Sequence, residues 1–151
     1  MKTLILGLGN SVRADDGVGL YIARALQEKI NLPDIMISES PGAGLDIIEL
    51  LTGFDKAILI DAIQTSNSKA GQVYRLDVQA IQTTRHALNP HSADLATSLE
   101  TGRRLGLPLP SEIIIFAIEI ADADSFSEEC TPVVSRAIPV CIDMILKELK
   151  V

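Results

Sequence analysis

The sequence is poor in aromatic residues, cysteine and histidine. Its 151 residues include two Tyr, three Phe, no Trp, two Cys and two His. Because apolar residues still make up 47% of the chain, we expect Leu, Ile, Val and Ala to fill the core. Cys130 and Cys141 form no Cys-x-x-Cys pair, and on one helix they would lie about 16 Å apart, too far for a disulfide. We therefore predict buried free thiols, not a nucleophile or a metal ligand.

Positive charge and long apolar runs are also lacking. There are 13 Lys and Arg against 20 Asp and Glu, a formal net charge of −7. Nucleic acids and anionic membranes bind basic surfaces, so neither is an expected partner. No apolar run reaches the roughly 18 residues that span a bilayer, and Met1–Gly7 is too short for a signal peptide. We predict a cytoplasmic protein with one domain over residues 1–151.

Apolar strands alternate with amphipathic helices along the chain. The predicted strands cover 3–8, 35–38, 56–60, 71–76 (an edge strand) and 112–120, and the predicted helices cover 16–29, 45–51, 93–105 and 131–150. Asp15 is the predicted cap of the first helix and Ser92 of the third, and Pro139 is expected to kink the last. Residues 77–91 are predicted to form a short helical piece and a loop. The alternation predicts an α/β fold with a largely parallel sheet and helices on both faces.

The turn from Gly7 to Gly19 follows the first strand and is rich in glycine. Such a turn usually offers backbone N–H groups to a phosphate. Here Asp15 and Asp16 occupy that position and would repel an anion. The dinucleotide-binding pattern also fails, because Val12 stands where its third glycine belongs. The turn therefore indicates a metal centre and not a nucleotide site.

Three side chains are predicted to meet at one edge of the sheet. Ligands of open α/β sheets bind beyond the carboxyl ends of the strands. Asp16 follows the first strand, Asp61 ends the third, and His91 precedes the third helix. Two carboxylates and an imidazole suit a divalent transition metal such as nickel or zinc, and three ligands leave positions open for substrate or water.

Each of these residues also has an ordinary structural alternative. Asp16 would be an acid in the first turn of the helix, where it interacts favourably with the helix dipole. Asp61 would cap a turn after the strand, and His91 would be a histidine of a surface loop. His86 is assigned a surface or supporting position, because His-x4-His is not a usual helical ligand pair.

Four motifs in the same order resemble the nickel-dependent [NiFe]-hydrogenase maturation peptidases. They are Leu4-Ile-Leu-Gly-Leu-Gly-Asn10 with Asp15-Asp16-Gly17-Val18-Gly19, then Pro41-Gly42-Ala43-Gly44-Leu45, Leu59-Ile60-Asp61-Ala62, and Asn89-Pro90-His91 with Leu95. The resemblance implies a three-layer α/β/α sandwich around a mostly parallel, mixed five-stranded sheet. It also implies an endopeptidase that removes a C-terminal extension from the nickel-loaded precursor of a [NiFe]-hydrogenase large subunit.

The resemblance also implies roles for single residues. The family's two acids and histidine fall on Asp16, Asp61 and His91, which would be both catalytic and nickel-binding. The family's substrate-binding positions fall on Asn10, Gly42 and Gly44. Gly42 stands where the family loop usually has Thr, so the resemblance does not identify the hydrogenase that is processed. Nickel would arrive with the precursor, and the isolated enzyme would be metal-free or hold another divalent ion. The resemblance leaves open whether the metal or a carboxylate activates the attacking water.

Two alternative functions fit parts of the same pattern. A non-catalytic nickel-sensing chaperone of the large subunit would need the same three ligands. A peptidyl-tRNA hydrolase-like enzyme would share the Leu-Gly-Leu-Gly-Asn opening. In those enzymes Pro-Gly follows the Asn, whereas Ser11-Val12 follows it here, and the acidic charge disfavours tRNA.

Overall fold

A computed structural model describes residues 1–41, 44–65, 69–77 and 95–151 of the chain. Five strands and five helices lie in these ranges, together with a 3₁₀ turn at Ala14–Gly17. In chain order they are β1 (Thr3–Leu8), α1 (Val18–Lys29), β2 (Ile35–Ser40), α2 (Gly44–Leu51), β3 (Lys56–Ile63), β4 (Val73–Asp77), α3 (Leu95–Arg104), β5 (Glu112–Glu119), α4 (Pro132–Ser135) and α5 (Ala137–Leu149). The Ser92 cap and nearly all of the predicted 77–91 segment lie outside the described residues.

The strands form one mixed sheet in the order β2-β1-β3-β5-β4. β1 pairs in parallel with β2 and β3, and β3 pairs in parallel with β5. β4 pairs antiparallel with β5 at the edge. The prediction of a mostly parallel, mixed five-stranded sheet with an edge strand near residue 71 is therefore confirmed.

Side chains alternate between the two faces of the sheet and form two separate cores. Ile5, Ile58 and Phe116 pack on one face against apolar residues of α1, α4 and α5. Leu6 and Leu59 pack on the other face against apolar residues of α2 and α3. Helices on both faces of the sheet confirm the three-layer α/β/α sandwich.

The start of the first helix differs from the prediction. α1 begins at Val18 with Gly17 as its N-cap, and no side chain caps it. Asp15 instead lies in the preceding 3₁₀ turn. The predicted capping role of Asp15 is therefore wrong, because the 3₁₀ turn separates this residue from the helix.

The last predicted helix is two helices. α4 ends at Ser135 and α5 begins at Ala137, with Arg136 between them. Pro139 has no N–H to donate to the carbonyl of Ser135, four residues earlier, so a continuous helix would lose that bond. As the third residue of α5, Pro139 lies in a first turn that needs no such donor. The expected kink inside one helix is therefore wrong.

The two cysteines do not share a helix. Cys130 precedes α4, whereas Cys141 lies in α5. Both are free thiols, Cys141 buried and Cys130 half-buried. Within the described ranges, no helix combines the length and apolar character needed to cross a membrane.

Candidate functional site at the carboxyl edge of the sheet

Asp16 is held at the carboxyl end of β1 by the turn that follows this strand. Gly9 has φ +145°, and a Cβ there would lie 2.1 Å from the carbonyl oxygen of Asp16. Only glycine permits this approach. The N–H of Asn10 donates to Oδ2 of Asp16 at 3.2 Å, and Asp16 is 4% exposed. The carboxylate is thus fixed beside the strand end and almost removed from water.

The sequence predicted that Asp61 ends β3. In the structure it lies inside this strand instead. β3 continues to Ile63 because the apolar run extends past the acid. Asp61 is 1% exposed, and the N–H of Ala62 donates to its Oδ1 at 2.8 Å. Alternation along the strand places Asp61 on the face that carries Leu59.

The structure brings Asp16 and Asp61 to the same edge of the sheet. Gly7 pairs with Ile60, so Asp61 follows level with the end of β1. A Cβ on Gly19 would lie 2.4 Å from the carbonyl oxygen of Ile60, so α1 begins directly against β3. The 3₁₀ turn that carries Asp16 also contacts β3. The two buried acids therefore lie at the same edge of the sheet, although 45 positions separate them in the chain.

The Asp16 and Asp61 carboxylates are oxygen donors of the kind that binds divalent cations. Carboxylates close together repel each other, and a divalent cation offsets that repulsion. The donors fit the oxygen part of the predicted O/O/N set. His91 lies outside the described residues, as does His86. In the part of the chain that the structure describes, no group of three Asp, Glu, His or Cys residues is placed to hold a metal ion.

A cleft of about 380 Å³ lies beside Asp16, between the carboxyl ends of β1 and β2. Its lining residues come from these two strand ends and from α1: Gly9, Asn10, Ser11, Leu20, Glu39, Ser40 and Pro41. The N–H of Val12 donates to Oδ1 of Asn10 at 3.1 Å and holds this side chain against the turn. The cleft is open and its walls are partly polar.

One of the three residues predicted to bind substrate is placed in this cleft by the structure. Asn10 lines it. Gly44 is the first residue of α2, three positions after Pro41 at the cleft wall. Gly42 lies outside the described residues.

Asp15 serves a different purpose from its neighbour Asp16. It is fully buried, and its Oδ2 accepts the N–H groups of Ala121 at 3.0 Å and Asp122 at 2.9 Å. Its Oδ1 accepts the N–H of Thr131 at 2.6 Å, and the Thr131 hydroxyl donates to the same carboxylate. Asp15 therefore fastens the segment after β5 to the 3₁₀ turn. Nothing local in the sequence indicated this partner, which lies more than 100 positions away.

Glu119 is a further buried acid that the sequence analysis missed. It is 2% exposed and pairs with Ile63 across β3 and β5, on the face that carries Asp61. Its carboxylate accepts the N–H of Thr65 at 2.9 Å and the Thr65 hydroxyl at 2.7 Å. Glu119 thus holds the chain where it leaves β3, at Thr65, two residues after Ile63 and four after Asp61. The available signal was an acid near the end of the otherwise apolar strand 112–120.

The cysteines are unsuited to nucleophilic chemistry. Burial raises the pKa of Cys141 to about 12. Burial, with a smaller contribution from the charge of Asp15, raises the pKa of Cys130 to about 12 as well. Both thiols are therefore protonated at neutral pH, and the thiolate is the reactive form.

Sequence comparisons point to one family. The hydrogenase maturation protease family (HycI) matches residues 20–148 of this chain. The Hydrogenase 2 maturation protease of Escherichia coli strain K12 is 27% identical over 154 residues, covering 99% of this chain and 92% of that protein. A putative hydrogenase maturation protease of Methanocaldococcus jannaschii is 27% identical and covers 97% and 96% of the two chains.

Comparisons of structures agree with this family. The hydrogenase maturating endopeptidase HybD from Escherichia coli superposes with a TM-score of 0.81 at 25% identity, covering 99% of this chain and 93% of that one. The [NiFe] hydrogenase maturation protease HycI from Thermococcus kodakarensis has a TM-score of 0.71 at 22% identity, with the same coverage, and shares the fold. Since the family match covers most of the chain, this protein belongs to the hydrogenase maturation protease family.

Proposed function

We propose that this protein is an endopeptidase that removes a C-terminal extension from the nickel-loaded precursor of a [NiFe]-hydrogenase large subunit. The observation that supports the proposal is the presence of two buried acids, Asp16 and Asp61, at one edge of the sheet in a member of a maturation protease family. Family membership favours this activity over the peptidyl-tRNA hydrolase alternative.

In this proposal the nickel belongs to the precursor and is therefore part of the substrate. Asp16, Asp61 and His91 would contact it, and the acid pair supplies the negative charge that attracts a divalent cation. A precursor without nickel would lack this attachment. The proposed consequence is selectivity, since an immature large subunit would be left uncut.

The cut itself requires a water molecule and a proton acceptor. Water adds to the scissile carbonyl, the C–N bond breaks, and the leaving amine takes a proton. A carboxylate of the acid pair that is not neutralised by the cation would accept the proton from the attacking water. Alternatively, the nickel of the substrate would polarise the carbonyl or the water. The cleft beside Asn10 would receive the peptide on one side of the cut.

The test is cleavage of purified precursor with and without nickel, followed by mass spectrometry. The variants are Asp16→Asn and Asp61→Asn, and the control is Asp143→Asn, whose side chain is 63% exposed on α5 and pairs with Lys147 on the same helix. We expect cleavage of the nickel-loaded form alone and a loss of about 100-fold or more in rate for the two site variants. The control should cleave like the wild type.

Two results would contradict the proposal. Normal cleavage by Asp16→Asn would remove this carboxylate from the mechanism. A stable, nickel-dependent complex in which the precursor stays uncut would favour the non-catalytic chaperone.

A further inference from the structure

The segment 121–131, which we name the acidic loop, presents a phenylalanine to solvent. Phe126 is 86% exposed, the largest exposure of any phenylalanine that the structure describes. Val12 is 42% exposed on the neighbouring turn, and the N–H of Ser127 donates to its carbonyl at 3.0 Å. An exposed aromatic side chain beside a second apolar one is typical of a contact with another protein.

The acidic loop is firmly attached to the site turn. The Asp15 carboxylate holds both ends of the loop, at Ala121 and at Thr131. The N–H of Ala14 donates to the carbonyl of Ser127 at 2.9 Å, and the hydroxyl of Tyr21 lies 2.6 Å from the carbonyl of Glu128. Because the backbone on both sides of Phe126 is fixed, little ordering entropy remains to be lost on binding.

The acidic loop carries charge of one sign, while Arg13 on the neighbouring turn forms a β-bridge with Ser127. The loop carries four acids and no Lys, Arg or His: Asp122, Asp124, Glu128 and Glu129. Asp124, Glu128 and Glu129 are exposed. Acids around an aromatic side chain are complementary to an apolar pocket with a rim of Lys and Arg, and they speed the encounter with such a surface.

We propose that Phe126 and Val12 dock into an apolar, basic-rimmed pocket on the hydrogenase large-subunit precursor. This inference rests on the proposed function. The position of the loop favours this partner, since Asp15, which holds the loop, is adjacent in the chain to Asp16. A precursor whose nickel reaches Asp16 therefore comes to the acidic loop as well.

The test compares the steady-state cleavage of nickel-loaded precursor by the wild type and three variants. Phe126→Ala should raise KM about tenfold or more and leave kcat within about twofold, because an anchor that binds away from the reacting bond contributes to binding alone. The double variant Glu128→Gln with Glu129→Gln should raise KM less and weaken its dependence on salt. The control is Leu105→Ala, a 75% exposed residue between α3 and β5 at the other end of the sheet, which should match the wild type.

Titration calorimetry measures the binding of the nickel-loaded precursor independently of its cleavage. The two measurements together separate the docking proposal from the proposed function. If the wild type cleaves and Phe126→Ala shows an unchanged KM, the docking proposal fails and the proposed function stands. If the wild type does not cleave, the proposed function fails, and weaker binding by Phe126→Ala still supports docking. A loss in kcat alone, or a change in the oligomeric state of the free protein on sedimentation, would overturn docking on the precursor.

Discussion

Replacing Asp15 by asparagine tests whether this acid holds the fold together. The substitution keeps the size of the side chain and changes one carboxylate oxygen to an NH₂ group. One oxygen of Asp15 accepts the N–H of Thr131, and the other accepts those of Ala121 and Asp122. In either orientation the new NH₂ therefore faces a backbone donor instead of accepting from it.

The expected loss is large for one substitution. Hydrogen bonds to charged groups contribute about 1.5–3 kcal/mol, and a buried donor left without an acceptor costs about 1–3 kcal/mol. We expect the free energy of unfolding to fall by about 3 kcal/mol. In a chain of this size that corresponds to a fall of roughly 6–12 °C in Tm.

The measurement is urea and thermal unfolding followed by circular dichroism. Asp122→Asn is the matched control, because Asp122 Oδ1 accepts the N–H groups of Asp124 and Ser125, which lie two and three residues away in the same loop. We expect the control to lose less than about 1 kcal/mol. Stability of Asp15→Asn within about 0.5 kcal/mol of the wild type would refute the assignment of Asp15 as the clamp of the acidic loop.

Two further predictions concern the glycine beside β3 and the thiols. Gly19→Ala should lower the free energy of unfolding by about 2–3 kcal/mol in urea titrations, since its Cβ would lie 2.4 Å from a backbone oxygen. Gly102→Ala, which would meet only leucine side chains, should lose under about 1 kcal/mol, and equal losses would argue against the close approach. Cys130 and Cys141, with pKa values of about 12, should react slowly with a disulfide reagent at pH 8 until urea is added. Since folding raises both thiol pKa values, their contribution to stability is present below pH 9 and lost as the pH rises towards 12, and fast reaction of the native protein would contradict this.

The sheet was predictable because its signals are local. β1, β3 and β5 are apolar runs that only a buried strand explains, and β4 alternates as an edge strand does. The rule that ligands bind beyond the carboxyl ends of parallel strands then predicted that Asp16 and Asp61 lie at the same edge of the sheet.

What the sequence could not show depends on contacts between distant segments. The acceptor role of Asp15 requires the loop after β5 to return to β1, which no periodic pattern encodes. The position of Glu119 beside the site depends on the register of β5 against β3. Pro139 signals an interrupted helix, but the sequence pattern did not show that the interruption falls at Arg136, three residues before the proline.

The directions of the two acids in the 3₁₀ turn depend on the number of residues that precede the turn. Successive side chains in a 3₁₀ turn point about 120° apart, which allows the adjacent acids Asp15 and Asp16 to face different surroundings. One residue inserted between Gly9 and Ala14 would turn Asp15 into the direction of Asp16, and one residue deleted there would turn Asp16 into the direction of Asp15. Surface loops usually tolerate such changes. In this segment, an altered length would be as damaging as the loss of a carboxylate.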